Sequence, residues 1–293
     1  MFYLAGGINR GRSNSIHFLQ LPSCYLAAKN LMPVFTDQLG RTISLQNSPK
    51  RIISIVPSQT ELLFNLGLDQ EIAGITKFCV HPKKWFRSKP RVGGTKHLNL
   101  KIIHELNPDL IIANKEENTK EQIDELQKHF LIWISDIKTL DDALVMIFSV
   151  GEITGKQTAA KKIVSQINKN FEELKPKIKK IRTTYFIWRN PYMAAGGDTF
   201  INEMMNYCGF DNIFANADRY PETNLEELLK KNCELLLLSS EPFPFKEKHI
   251  EELKSQLPGV KIVLVDGEMF GWYGSRLIHA PLYFSRLLAE MEK

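Results

Sequence analysis

The sequence predicts an α/β protein of two lobes joined by one long helix. Three observations lead there. Apolar strand-like runs alternate with amphipathic helical patterns from Arg51 to Ser135. The same alternation resumes at Tyr185 and continues to the C-terminus. Between the two stretches, two helical patterns follow one another with no strand. Repeated strand–helix alternation is the pattern of a mostly parallel sheet covered by helices.

Val34 to Leu45 alternates around Leu39-Gly40 and reads as a small hairpin. Arg51 to Val56 is an apolar strand run. Ser58, Thr60 and Glu61 then open a helix, Glu61 to Leu66, stopped by Gly67. Ile72 to Thr76 is a short strand, Ile102 to Leu106 a helix, and Asp109 to Ala113 a strand. Thr119 to His129 is an amphipathic helix and Leu131 to Ser135 a strand. Asp141 to Thr154 and Lys156 to Lys180 are the consecutive helices. In the second, Ile163, Ile167, Phe171 and Leu174 recur at helical spacing. A length of about 35 Å at 1.5 Å per residue makes it a spine between two halves.

Beyond the spine, Tyr185 to Trp188 is a strand, and Thr199 to Cys208 a helix ended by Gly209. Leu225 to Lys231 is a helix and Leu235 to Ser239 a buried strand. Lys246 to Gln256 is a charged helix, Lys261 to Val265 a strand, and Ser275 to Glu292 a closing helix. The chain thus divides into an extension or degenerate targeting segment (1–33), an N-terminal α/β lobe (34–155), a connecting helix (156–180) and a C-terminal α/β lobe (181–293).

Composition narrows the function classes. Hydrophobic residues are 43% and charged residues 24% of 293, enough apolar material for a core and against a disordered chain. No run approaches the roughly 18 apolar residues of a membrane-spanning helix. Lys and Arg total 38 against 33 Asp and Glu, a net charge of +5. The excess is spread along the chain, and its densest stretch, Lys175 to Arg182, reads as a solvated helix end. Nucleic-acid binding would want a basic stripe interleaved with aromatics, so no nucleic-acid partner is expected. Cys24, Cys79, Cys208 and Cys233 are far apart and form no CxxC, which argues against a zinc ribbon or a disulfide framework. Cys208 and Cys233 read as core residues.

Residues 1–31 differ from the rest. Arg10 and Arg12 stand where the basic part of an export signal belongs, but Ile16 to Ala28 is interrupted by His17, Gln20, Pro22, Ser23 and Cys24. Leu21-Pro22-Ser23-Cys24 has the form of a degenerate lipoprotein acylation site. Met32, just before the first structured pattern, is an alternative start.

In open α/β sheets, ligands bind beyond the carboxyl ends of the strands, so the loops after each strand carry the candidate site. The first half offers Ser58, Phe78, Cys79, His81, Thr95 and Lys96. The second offers Trp188, Arg189, Tyr192 and Glu241, then Glu268, Phe270, Trp272, Tyr273 and Arg276 after the last strand. Aromatic faces with a few fixed charges suit a large, partly apolar, charged ligand held between two loop sets.

The residues from Arg51 to Gly67, RIISIVPSQTELLFNLG, resemble the opening of the substrate-binding proteins of cobalamin and ferric-siderophore ABC importers. So do Arg91-Val-Gly-Gly94, Asn107-Pro-Asp-Leu-Ile-Ile112 and Gly209-Phe-Asp-Asn-Ile-Phe214. Four further stretches resemble a subgroup of helical-backbone metal receptors. They are Phe78-Cys-Val-His-Pro82, Asn114-Lys-Glu-Glu-Asn118, Ile187-Trp-Arg-Asn-Pro191 and Trp272-Tyr-Gly-Ser-Arg276. The resemblance runs from about Val34 to the C-terminus. It implies two Rossmann-like lobes on a single long backbone helix, with cobalamin or a ferric-siderophore or haem-type chelate held in the cleft. It also implies delivery to ABC permease subunits, a location in the periplasm or cell envelope, no intrinsic cofactor, no enzymatic activity and a monomeric state.

By the same resemblance, Phe78 and Trp188 match positions where cobalamin binders place aromatic rings against the corrin, and Thr95 lies where such binders carry another aromatic. Glu268 and Trp272 fall where they have an acidic and a basic residue. The family docks on its permease through one surface carboxylate per lobe. Glu226 matches the second, and Lys101 replaces the first.

Each feature also has a plainer reading. Cys79 and His81, two apart on one loop, have the donor types for a transition metal, with Glu116, Asp198, Glu241 or Glu268 as further ligands; the plainer role is bonding to loop backbone. Gly93-Gly94 and Gly196-Gly197 read as tight turns, since no P-loop lysine follows. Arg189 and Arg276 suit ligand carboxylates or phosphate, and Arg276 equally suits an internal ion pair. Trp85 and Trp133 read as structural, and His104, His129 and His249 as solvated. A cytoplasmic metal- or corrinoid-handling protein of the same fold, without a permease, is the alternative function. An enzyme is disfavoured, because no nucleophile–base pair or Gly-rich cofactor loop is visible.

Overall fold

The computed structural model describes residues 32–175 and 180–291. The targeting features proposed for residues 1–31 lie outside the described residues. Two short strands, β1 (Val34–Thr36) and β2 (Thr42–Ser44), form the expected antiparallel hairpin. Asp37 organises its turn by accepting the N–H groups of Leu39 and Arg41 and pairing with the Arg41 guanidinium at 2.7 Å.

The first parallel sheet contains β3 (Ile52–Ser54), β4 (Ile72–Ile75), β5 (Leu110–Asn114) and β6 (Ile132–Ser135), in the order β4-β3-β5-β6. Its crossovers carry α1 (Pro57–Asn65), α2 (Lys83–Ser88), α3 (Leu100–Leu106) and α4 (Lys120–Leu126). The sequence reading missed α2. Proline begins α1, where a missing backbone donor costs nothing.

Then come α5 (Leu140–Ile153), opened by a Thr139–Asp142 capping box, and α6 (Gln157–Glu173). They pack closely: a Cβ on Gly151 would lie 2.3 Å from that of Ala160. The expected stripe of α6 is buried at Ala160, Ile163, Ile167 and Phe171. The helix is shorter than the expected 156–180, because Leu174 takes extended backbone angles. The spine is about 25 Å long rather than 35.

The second sheet runs β10-β8-β7-β11-β12, with β9 added beside β7. Its strands are β7 (Ile181–Trp188), β8 (Tyr192–Ala194), β9 (Phe210–Asn212), β10 (Glu222–Thr223), β11 (Leu235–Ser239) and β12 (Lys261–Val265). Strands β9, β7, β11 and β12 are parallel; β8 turns back antiparallel on β7, and β10 on β8. This antiparallel edge was not visible in the sequence, because β8 and β10 are too short to show a period. The helices are α7 (Phe200–Tyr207), α8 (Leu225–Lys230), α9 (Glu247–Lys254), α10 (Gly267–Gly271) and α11 (Ala280–Met291). The expected closing helix at Ser275 is instead a 3-10 turn, Ser275–Ile278, followed by α11 with Pro281 in its first turn.

Both sheets are apolar on both faces, as buried parallel strands require. In β5, Leu110 and Ile112 face one core while Ile111 and Ala113 face another. In β11, Leu235 and Leu237 face the core shared with the first sheet, and Leu236 and Leu238 face a separate one. The shared core runs through α5 and α6, so the helix pair is packed against both sheets rather than slung between them.

Candidate functional site

The loops beyond the strand ends are held differently in the two halves. In the first, buried amides do the work. Asn114, at the end of β5, accepts the backbone N–H groups of Glu116 and Glu117 at 2.8 and 3.0 Å and donates to Ser135 at 3.0 and 3.2 Å. Gln59, in α1, donates to the same Ser135 hydroxyl. Asn118 accepts from the Asn114 backbone and donates to the carbonyls of Ile55 and Thr95. The network fixes where Glu116 and Glu117 stand.

Phe78 is 51% exposed, with Gly94 close beneath its ring and the Lys77 ammonium 5.1 Å from the ring centre. Cys79 points the other way. It is fully buried, its sulfur 3.0 and 3.1 Å from the hydroxyls of Thr60 and Thr76, and burial raises its thiol pKa. It is a core residue, not a ligand contact or a metal ligand. Among the described residues no group of three or more His, Cys, Asp or Glu is placed to hold a metal ion. Ser58 and Thr95 are also buried. The Ser58 carbonyl lies against Gly274, where a Cβ would approach to 2.6 Å, and the Thr95 carbonyl holds Asn118. Lys96 is exposed and donates to the Glu116 carbonyl.

In the second half, amides hold only the 195–197 loop, Asn212 donating to Asn202 and to the Ala195 carbonyl and Asn202 to the Gly197 carbonyl, and aromatic packing backs the loops that carry the exposed rings. Trp188 ends β7, is 41% exposed and meets Phe243 edge-on at 5.8 Å. Tyr192 stacks on Phe186 at 4.9 Å. Phe270 is fully buried against Tyr185 and Phe284, so it supports the site from the core instead of lining it. Arg189 pairs with Glu252 of α9 at 2.7 Å, which commits its charge to a neighbouring helix. His249 is not solvated; it is buried, with Phe243 and Phe245 beside it.

The two halves meet through charge. The Arg276 guanidinium makes a bidentate contact with Glu61 of α1 at 2.7 and 3.0 Å and pairs with Glu268 at 2.8 Å, while lying 4.8 Å over the Trp272 ring. His81 Nε2 is 3.2 Å from Glu268. The Trp272 indole donates to Glu241 at 2.6 Å. On the other side, the Tyr220 hydroxyl donates to Glu116, Arg219 stands 4.0 Å from Glu116, and Lys138 is 3.5 Å from Asp198.

Several of these groups titrate abnormally. Crowding by protein, aided by Glu116 and opposed by Lys96, raises the Glu117 carboxyl to about 7, although it keeps some solvent contact. Glu241 is likewise raised to about 7 by burial, against the Trp272 hydrogen bond and with help from Glu268 and Glu117. Burial, reinforced by Glu117 and Glu116 and opposed by the Ser58 side chain, holds the Tyr273 phenol well above its usual range. Lys101 and Glu226 stand apart from this cluster, exposed on the first turns of α3 and α8.

Sequence reasoning missed Glu61, Arg219 and Tyr220. Glu61 lies within a helix-opening pattern, and Tyr220 in a segment without periodicity, so neither carried a local signal.

Residues 52–262, well over half of the chain, match the family model described as periplasmic binding protein. A vitamin B12-binding protein of Vibrio parahaemolyticus is 26% identical over 214 residues, covering 71% of this chain and 76% of that protein. An uncharacterized ABC transporter substrate-binding lipoprotein of Bacillus subtilis, YvrC, is 25% identical over 258 residues, covering 83% and 81%. The periplasmic vitamin B12-binding protein BtuF of Vibrio cholerae superposes with a TM-score of 0.69 at 22% identity, over 84% of this chain and 98% of that one. The periplasmic heme-binding protein HutB of Vibrio cholerae does so with a TM-score of 0.69 at 19% identity, over 83% and 99%. At such identities the structures speak for the fold alone. Two α/β lobes on a packed helix pair, with loop sets meeting beyond their strand ends and a family match across both sheets, make this chain a member of the periplasmic binding protein family, whose members bind solutes and are not enzymes.

Proposed function

We propose that this protein captures cobalamin, or a ferric-siderophore or haem-type chelate, between its lobes (residues 34–155 and 181–293) and delivers it to an ABC importer permease. The observation that carries the reading is the pair of large rings left in water, Phe78 at 51% exposure on the loop after β4 and Trp188 at 41% at the end of β7, one from each sheet. Exposed aromatic faces beside fixed charges suit a planar, partly apolar ligand. His81, Lys96, Tyr192, Trp272 and Tyr273 complete the contacts in this reading, and Cys79, Phe270 and Arg189 do not. Glu226 serves as the docking carboxylate of the second lobe. Movement between lobes is limited, because the core shared through α5 and α6 resists a wide hinge. The relatives named above support a place in the cell envelope.

Tryptophan fluorescence tests this. Cobalamin, a ferric hydroxamate and haem are each titrated into the full chain. Saturable quenching by one of them at micromolar ligand, lost in Trp188→Ala, is the expected result; no response to any of the three sinks the reading. One observation favours a second reading, a cytoplasmic corrinoid- or metal-handling role. Lys101, 86% exposed, puts a positive charge where a docking carboxylate is expected. Cell fractionation separates the two.

A further inference from the structure

We propose that His104 and His129 form a surface site for a late first-row divalent metal ion, Ni²⁺, Cu²⁺ or Zn²⁺, on the first lobe. The site lies apart from the cleft and does not depend on the receptor reading above.

The warrant is the meeting of two exposed imidazoles carried by separate elements. His104 stands in the last turn of α3, and His129 just beyond the end of α4. Their ring centres are 4.9 Å apart, with the planes at 71°. Phe130 backs both rings, its centre 5.0 Å from His104 and 6.3 Å from His129. It packs in turn on the core of Ile103 and Leu126, which anchors the backbone beside each histidine. That core is not the one shared with the second sheet. Both histidines are exposed, and among the described residues neither imidazole has a hydrogen-bond or ion-pair partner, nor do any other two imidazoles meet.

Imidazole nitrogen suits these ions, whereas Ca²⁺ and Mg²⁺ want oxygen ligands. Two imidazoles on one ion, with metal–nitrogen bonds of about 2.1 Å and an angle of about 90–109° between them, hold their ring centres roughly 4.6–5.3 Å apart. The observed 4.9 Å falls inside that range. Exposed rings can turn about χ2 to aim one nitrogen each at the common point. The nearest carboxylates are committed to lysines, Glu105 at 4.0 Å from Lys101 and Glu125 at 2.5 Å from Lys128. The protein therefore supplies two ligands, and water fills the remaining positions. Lys101 stands one turn before His104 on α3, so a bound ion adds positive charge to the surface where a docking carboxylate is expected.

The test is calorimetric titration of the full chain with nickel chloride at pH 8. Because the second imidazole binds the ion intramolecularly, His104→Ala and His129→Ala should each weaken binding at least about tenfold. The double variant should be no weaker than either single one, since one loss already breaks the chelate. His279→Ala, which removes another exposed histidine, should change nothing. Losses that are smaller than about twofold, or that add in the double variant, mean that the two imidazoles bind separately and overturn the site. An equal loss in His279→Ala, or no binding at all, overturns it too. A measurement without substitutions checks the same pair: nickel should protect His104 and His129 from modification by diethyl pyrocarbonate and leave His279 reactive. Equal modification of His104 and His129 with and without nickel overturns the site.

Discussion

The loop that carries Glu116 and Glu117 in the first lobe rests on a polar scaffold, and the loops that carry Trp188 and Tyr192 in the second rest on an apolar one. In the first, Asn114, Asn118, Ser135 and Gln59 form a buried network that aims Glu116 and Glu117. In the second, Phe186, Phe243 and Phe270 back the loops that carry Tyr192, Trp188 and Trp272. Hydrogen bonds fix direction, so a network of them suits groups whose orientation matters. Ring packing fixes position while tolerating rotation and sliding, which suits an apolar wall.

Arg276 is the element that belongs to both halves, and its loss should have the largest effect. Arg276→Ala leaves Glu61 a partly buried carboxylate without a partner and Glu268 with His81 alone, their side chains 18% and 19% exposed. Breaking such a pair from one side costs about 3 kcal/mol, measured by urea unfolding. If the cost arises from stranded charge, Glu61→Gln in the Arg276→Ala background should recover part of it, a non-additivity that simple loss of packing would not give.

Asn114→Leu tests the polar scaffold alone. It removes four hydrogen bonds and strands the Glu116 and Glu117 amides, at an expected cost of about 2–3 kcal/mol. Amide exchange should rise at residues 115–118, while the second lobe keeps its protection. An even rise over both lobes would show that the scaffolds are not separate.

The pH dependence divides the lobes more finely, because each supplies one carboxyl raised to about 7. Glu117 and Glu241 sit near 7 when folded and near 4.5 when not. The folded state therefore holds more protons between those values, and stability should fall as pH rises from about 4.5 to 7. Lys96, Glu116, Glu268 and the Trp272 indole act on these groups, and buried His249, with a lowered pKa, opposes the trend below about pH 6.5. Glu117→Gln and Glu241→Gln should each flatten the slope of melting temperature against pH and raise stability above pH 7. An unchanged slope in both would mean that the carboxyls ionise freely in water.

The same division explains what was legible in the sequence. Strands β5, β6, β11 and β12 announce themselves as apolar runs, and the α6 stripe as a 3.6-residue period, because burial acts along the chain. Phe78 and Trp188 were readable as rings placed just after one strand and at the end of another. Cys79 and Phe270 were misplaced because a loop residue's side chain can turn inward, and nothing local records which way it turns. The Glu61–Arg276 pair, 215 residues apart, and the Tyr220–Glu116 bond are properties of how the lobes meet. They leave no period or spacing in the chain.

The smallest effect on stability belongs to the surface charges, where the lobes differ in sign. Lys101 is 86% exposed with Glu105 4.0 Å away, and Glu226 is 74% exposed with Lys230 at 2.7 Å. Pairs so exposed are worth little, so Lys101→Ala and Glu226→Ala should each change unfolding stability by less than about 0.5 kcal/mol. Docking is where they should part. If the second lobe alone offers a carboxylate to a permease arginine, Glu226→Ala weakens capture by permease-containing vesicles, and Lys101→Ala, which removes a repulsive charge, strengthens it. Opposite signs from two substitutions that leave the fold untouched would place the docking energy in charge. Equal and small changes would mean that neither residue touches the partner, and the carboxylate of the second lobe would lose its assignment.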